Sequence, residues 1–288
     1  MQIIPETLKL QKIKKIFLNP LPERNKNYLD LSIQSGLLPS ALTHSSLRNT
    51  PGHYAIVKRI QQARLLSCTS LTEAANVLHT DKGTTYKCAH GYTNIYERLF
   101  SGIVQQAMPS ISILEIGLNR DGAYDVPSLK LWRHFFGKSA NITGFDINPE
   151  FIRYCHLGFN IHIGDQGDPR SYGALTYHPY DVIIDDGSHA SSDQQISLKT
   201  LWPCIKPGGL YIIEDLHWQP YEEKRIKSVD LLKDWSGGRR TTSDILENDF
   251  LRQLEATMDS ITFYPSISNI WPKEKLAYAL ACIKKKKL

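Results

Sequence analysis

YDVIIDDGSH occupies residues 180–189, and LYIIEDLHW follows at 210–218. Each runs an apolar, β-branched stretch into a pair of acids and then a histidine: Asp185, Asp186 and His189 in the first, Glu214, Asp215 and His217 in the second. A short apolar run bounded by turn residues is the pattern of a strand buried on both faces. Carboxylates at the ends of such strands must be solvated, paired or bound to a cation, because an uncompensated buried charge is costly.

The same rhythm extends to either side. SILEIG (112–117), NITGFDI (141–147) and NIHIGD (160–165) read as further strands, with PSLKLWRHFF (127–136), PEFIRYCHLG (149–158) and SDQQISLKTLWPC (192–204) as helical segments between them. Such alternation means βαβ units: an α/β, doubly wound, mostly parallel sheet with helices on both faces. Further on, SITFYPSISNIWP (260–272) reads as two strands close in sequence, an antiparallel addition to the sheet edge. SLTEAANVL (70–78) is a helix that Ser70 or Thr72 can cap, and another helix is expected from about Thr93. LKLQKIKKIFL (8–18) and HYAIVKRIQQARLL (53–66) have helical spacing, so residues 1–69 are expected to form a small helical N-terminal region and 70–288 the main domain.

Composition excludes several classes. With 288 residues and 41% hydrophobic content the chain can bury a substantial core. No uninterrupted apolar run approaches the roughly 18 residues of a membrane helix, and Glu6 and Lys9 interrupt the start where a signal peptide would be apolar. A cytoplasmic protein with no membrane partner is expected. The five cysteines are odd in number and lack CxxC spacing, so reduced thiols are expected rather than a zinc site or disulfides. The net charge of +5 is partly concentrated in IKKKKL (283–288), which lacks interleaved aromatics and reads as a solvated tail, with no nucleic-acid partner.

The first strand ends in LEIGLNRDG (114–122), where Glu115 and Gly117 mark a turn at which a ligand can approach the backbone. Only Gly117 and Gly122 are available there, with Asn119 where another glycine would stand, so the loop alone is a weak motif. The second strand ends in Asp146, placed for a ribose, about 30 residues on, where a dinucleotide fold expects its acid at about 20. The third ends in Asp165 and Gln166, an acid and a carboxamide suited to an adenine edge. Ligands of open parallel sheets bind outside the carboxyl ends of the strands, so Gly117, Asp146, Asp165 and Asp185 are expected to face one crevice.

HTDKGTTYKCAHGYTNIYERLF (79–100), ILEIG, SLKLWRHFF, GFDI, GDQGDP, DVIIDDGSH, LWPCIKPGG and LYIIEDLH together resemble the S-adenosylmethionine-dependent, Mg²⁺-dependent sugar O-methyltransferases of macrolide biosynthesis, the mycinamicin type. The resemblance covers roughly 70–218 and implies a Rossmann-like methyltransferase fold. It further implies S-adenosylmethionine as cofactor, with Asp185 facing the sulfonium, and Mg²⁺ held by Asp186, Glu214 and Asp215. His189 becomes the general base, and His217 a supporting or structural residue. Three carboxylates at neighbouring strand ends independently suit a hard, oxygen-seeking cation. Tyr92, Tyr96 and Glu97 are expected in a lid over the cofactor, Trp132 and Trp218 in the core, with Trp218 also able to stack on a sugar. The resemblance implies a homo-oligomer and a small-molecule acceptor, a glycosylated compound or another diol.

Three rivals arise from the same residues. A catechol-like acceptor also offers vicinal hydroxyls to a metal. A dinucleotide-dependent oxidoreductase requires a fuller GxGxxG, and a nucleic-acid methyltransferase or binding module has only the lysine run in its favour.

Overall fold

The structure, a computed structural model, describes residues 61–62, 64–86, 88–104, 110–118, 125–221, 225–268 and 271–287. The chain divides into two compact units, Met1–Glu73 and Ala74–Leu288. The expected helix at 8–18, the first part of that at 53–66 and the loop around Asn119 lie outside the described residues, while 61–62 and 64–67 are helical as expected. Within the first unit Ser70 Oγ accepts the Glu73 N–H at 3.1 Å, while the Glu73 carboxylate accepts the N–H of Thr69 at 2.6 Å. This reciprocal cap opens helix α1 (Leu71–Leu78) at Ser70 rather than Thr72.

In the second unit α2 (Thr93–Val104) precedes a sheet of seven strands: β1 (Ser112–Ile116), β2 (Asn141–Asp146), β3 (Asn160–Ile163), β4 (Tyr180–Asp185), β5 (Ile205–Ile213), β6 (Met258–Tyr264) and β7 (Leu280–Lys285). Helices α3 (Pro127–Phe136), α4 (Ser191–Leu201), α5 (Ser228–Ser236) and α6 (Asn248–Thr257) stand between them. The strand order is β3-β2-β1-β4-β5-β7-β6, with β1 to β5 parallel and β7 antiparallel to both neighbours. Right-handed crossovers around an order that reverses between β1 and β4 put helices on opposite faces, the doubly wound arrangement expected.

Alternate residues of β1 serve the two faces. Leu114 and Ile116 join Ile183, Tyr211 and Ile213 in a core closed by Leu198, Trp202, Trp235 and Leu254. Glu115 points the other way, toward Trp132, which packs with Tyr96 and Phe100. Strand register aligns the carboxyl ends: Ile116 pairs with Asp185, and Asp185 with Ile213. The next residues, Gly117, Asp186 and Glu214, therefore stand in a row along the carboxyl edge, and the backbone ladder continues through Asp186 N–H to Ile116 O and Glu214 N–H to Asp185 O, both 2.9 Å.

PEFIRYCHL is helical as expected, forming a 3-10 helix (Pro149–Leu157) capped by the Asn148 side chain. Two expectations are corrected. SITFY belongs to β6, but its antiparallel neighbour is not in SISNIWP. There Ser266 N–H donates to Leu276 O and Ile267 N–H to His90 O, and the partner strand is β7, drawn from LACIKK. The lysines consequently are not a solvated tail. Lys284 and Lys285 lie in β7, the Lys285 ammonium donates to the carbonyls of Ile205 at 2.8 Å and Trp202 at 3.2 Å, and Lys286 N–H donates to Thr257 O at 2.7 Å. Among the described residues no helix is long and apolar enough to cross a membrane, and none of the five cysteines is in a disulfide. Lys285→Ala is expected to lower stability by on the order of 1 kcal/mol in urea denaturation, through lost charge-assisted bonds to carbonyls; a solvated lysine would leave the midpoint unchanged.

Candidate active site

Gly117 sits where β1 ends, with φ of +86°, and a Cβ there would lie 2.0 Å from the Asp186 carbonyl oxygen. Only glycine lets the turns after β1 and β4 come this close, and the gap they frame is the switch point of the sheet. A crevice of about 280 Å³ opens there, lined by Gly117, Asp146, Ile147, Asp165, Asp186 and Ser188 among others. Asp146 holds its rim: one carboxylate oxygen accepts Leu118 N–H at 2.7 Å, the other Asn148 N–H at 2.8 Å. Asp165 is exposed and accepts Gly167 N–H.

Other residues expected at the cofactor make buried hydrogen bonds. The Gln166 amide nitrogen donates to Asp185 at 2.8 Å and its oxygen accepts Ser188 N–H at 2.9 Å, so the carboxamide braces the β4 turn. Asp185 is fully buried, taking bonds from Gln166 and the Ser197 hydroxyl, and burial pushes its carboxyl up to about 6. Glu115 is also fully buried, bonded by the Trp132 indole at 3.0 Å and 3.5 Å from Lys82, and burial raises it to about 7. Gln166 also lines the crevice, whereas Asp185 and Glu115 are absent from the walls of the cavity.

Beside the crevice lies a second cavity of about 200 Å³, lined by Lys82, Ser128, Asp186, His189 and Asp215 among others. Its centre is Lys82, only 1% exposed, whose ammonium reaches Asp186 at 2.5 Å and Glu214 at 2.9 Å. The segment delivering it is folded on itself. The Asn76 side chain accepts Thr84 N–H, His90 N–H donates to Asp81 O, and Thr93 N–H donates to Lys82 O. Tyr96 OH donates to Glu214 and Tyr92 OH to Asp215, the latter at 2.8 Å. His90 stacks on Tyr92 and places Nε2 3.6 Å from Asp215. Asp215 and His189 both have positive φ, 54° and 60°, conformations held by the packing around them.

One ammonium stands in a cluster of four carboxylates: Glu115, Asp186 and Glu214, which it contacts, and Asp215 beside His90. Burial opposes the charge on Lys82, but Asp186, Glu214 and Glu115 outweigh it and hold its pKa well above the ordinary value. Glu214 is also pushed well upward, by burial first and then by Asp186 and Asp215, against the pull of Lys82. Three carboxylates contact a single ammonium and a fourth stands close by, so oxygen donors outnumber the one cation. A surplus of oxygen donors of this kind fits a hard divalent cation. Ligand atoms of Asp186, His189 and Asp215 already lie within 4.8 Å of one another, as do those of His90, Asp215 and His217.

Sequence reasoning missed Lys82 and His90, although both stand in the quoted TDKGTTYKCAHGYTNIYE stretch. Tyr92 and Tyr96 are not a lid: both are fully buried and bond the strand-end acids from below, and Glu97 is half-buried and absent from both cavity walls. Trp132 is core as expected, but Trp218 is 45% exposed and sets its ring edgewise to His189 at 5.5 Å.

No family model matches the chain. Over 169 residues it is 37% identical to demethylmacrocin O-methyltransferase of Streptomyces fradiae, covering 54% of this chain and 40% of that protein. Over 139 residues it is 35% identical to mycinamicin VI 2''-O-methyltransferase of Micromonospora griseorubida, covering 46% and 33%. The matched regions thus span less than half the length of these relatives. Among solved structures, the MycE methyltransferase of the mycinamycin pathway, in complex with Mg, SAH and mycinamycin VI, superposes with a TM-score of 0.57 at 25% identity, covering 77% of this chain and 54% of that one. The sheet is that of a class I methyltransferase. The chain is related to the S-adenosylmethionine-dependent sugar O-methyltransferases that act on macrolide and polyketide glycosides.

Lys82→Met leaves buried carboxylates without their counter-charge and is expected to cost about 3–5 kcal/mol in metal-free protein. Thermal melts with and without Mg²⁺ check this: the variant should gain more stability from Mg²⁺ than the unaltered protein does. Equal gains would mean that Lys82 and the added cation do not serve the same charges.

Proposed function

We propose that this chain transfers the methyl group of S-adenosylmethionine to a sugar hydroxyl of a glycosylated natural product, with Mg²⁺ at the strand-end acids. The observation that carries this reading is shared walls: Gly117, Asp186 and Gly187 line both the crevice and the acidic cavity. A nucleoside lying in the first has its reactive end beside the second. The names of the relatives support the same chemistry, as do the ligands seen with MycE.

S-adenosylmethionine, when bound, supplies an electrophilic methyl group, and Mg²⁺, when bound, supplies Lewis-acid stabilisation of charge developing on a sugar oxygen. The chain's own residues do the rest. Asp146, fixed by two backbone N–H groups, offers its remaining lone pairs to ribose hydroxyls. Ile147, 67% exposed at the rim, gives an apolar surface for a base, and Asp165 an acceptor for its amino group. Asp186, Glu214 and Asp215 hold the cation. Ligand atoms of the first and last already converge, and Glu214, which now accepts the Lys82 ammonium, would be the third to hold the ion. Tyr92 and Tyr96 orient these carboxylates from behind. His189 takes the proton of the attacking hydroxyl, and Trp218 limits water at its edge. A positioned base of this kind contributes about 10²–10⁴ in rate. The acceptor pocket as a whole, and an oligomer that completes it, belong to the same proposal.

Calorimetric titration with S-adenosylmethionine, NAD as comparison ligand, and Mg²⁺ present or chelated tests the cofactor. Binding of S-adenosylmethionine without binding of NAD is expected. Transfer is then assayed on panels of deoxysugar glycosides and of catechols, with glycosides expected to be the acceptors. His189→Ala should lower kcat by about 10²–10⁴ while leaving S-adenosylmethionine affinity within twofold. Near-normal turnover in that variant would remove His189 from the mechanism.

A further inference from the structure

We infer that a third cavity, of about 460 Å³ and just beyond the acid pair, binds a second sugar unit of the acceptor, so that the acceptor carries at least two linked sugars. This rests on the methyl-transfer reading above and adds the substrate class. The cavity shares no residue with the crevice or with the acidic cavity. It begins where the acid pair ends: Leu216, His217 and Trp218 follow Asp215 directly and line it, together with Trp271, which packs on His217.

The chemistry of the wall separates the possible occupants. A sugar ring presents C–H faces that pack on aromatic rings and a girdle of hydroxyls that both donate and accept hydrogen bonds. The cavity offers two indoles, Trp218 and Trp271, together with a carboxamide, Gln219, and side chains of both signs. Lys227, Lys233 and Lys275 stand against Asp230 and Glu274, so acceptors and donors are both in supply and neither charge dominates. A polyketide aglycone would call for a more uniformly apolar lining. A phosphate or carboxylate would call for cations without nearby acids.

Trp218 links the two sites. Its ring stands edgewise to His189 at 5.5 Å, yet the residue also lines the third cavity. Trp218 thus borders both a sugar held for transfer at His189 and Asp215 and a neighbour held in the third cavity. His217 and Trp271 pack edge to face at 5.7 Å, which keeps the second indole upright on the wall.

The test is binding, read independently of turnover. Matched pairs of methyl glycosides, one sugar against two, built from rhamnose, olivose and glucose, are titrated into the full chain with Mg²⁺ and S-adenosylhomocysteine and followed by saturation-transfer NMR. At least one disaccharide should bind ten-fold or more tightly than its monosaccharide, with saturation on the C–H protons of both rings. Trp271→Ala should abolish that preference without changing monosaccharide or S-adenosylhomocysteine affinity, and Trp271→Phe should restore most of it. Circular dichroism melts of both variants establish that they are folded. Equal affinity for one and two sugars in every pair, no binding of any disaccharide, or a preference untouched in Trp271→Ala, would each overturn the inference. Failure of the methyl-transfer reading shows separately, as absence of S-adenosylhomocysteine binding.

Discussion

The site is organised by one ammonium group among four carboxylates. Lys82 lies at the meeting point of the β1, β4 and β5 ends, contacting Glu115, Asp186 and Glu214, one acid from each. Without a cation there, three strand termini that backbone pairing places side by side would carry mutually repelling, desolvated charges. The lysine cannot float in from solution, so the segment from Asn76 to Thr93 is folded into a compact hook with its backbone bonded to itself. Tyr92 and Tyr96, at the end of the hook and just beyond it, bond the acids the lysine does not fully satisfy. Sheet, hook and following helix are thereby held together by electrostatics at the point where chemistry is to occur.

The second constraint is steric. The absence of a side chain at Gly117 brings the β1 and β4 turns into contact, and the crevice and acidic cavity meet at that contact. Beneath it Asp185, Gln166 and Ser197 form a buried polar brace. Such a brace favours a rigid floor, because each member would be left unsatisfied if the turn shifted.

The strands and their acidic ends were legible because the information is local: a run of three or four apolar residues followed by a pair of acids occupies one short window. Which acid faces the ligand was not, since side chains alternate and neighbouring Asp185 and Asp186 point to opposite environments. Asp146, Asp165 and Gln166 all line the crevice, as their places at strand ends suggest, while the bond from the Gln166 amide to Asp185 could not be read from sequence. Lys82 could not be paired from sequence because its partners lie 104 and 132 residues away. Four consecutive lysines suggest solvent, yet long stems can lie along a strand while the ammonium finds carbonyls, as Lys285 does. SISNIWP offers β-branched and aromatic residues, but the strand forms from LACIKK, whose alanine has little intrinsic β preference and is favoured by the pairing available.

The position of β7 between β5 and β6 bears on how the chain reaches this state. β6 precedes β7 in sequence but has no place in the sheet until β7 has docked on β5. During folding, β6 is therefore an unpaired edge whose backbone groups await a partner that comes later in the chain. Pairings over long sequence separations form slowly and leave such edges exposed to association with other molecules. The alternation of half-buried residues along β6, with none of them fully buried even in the finished sheet, keeps the waiting strand less adhesive than the apolar strands at the centre.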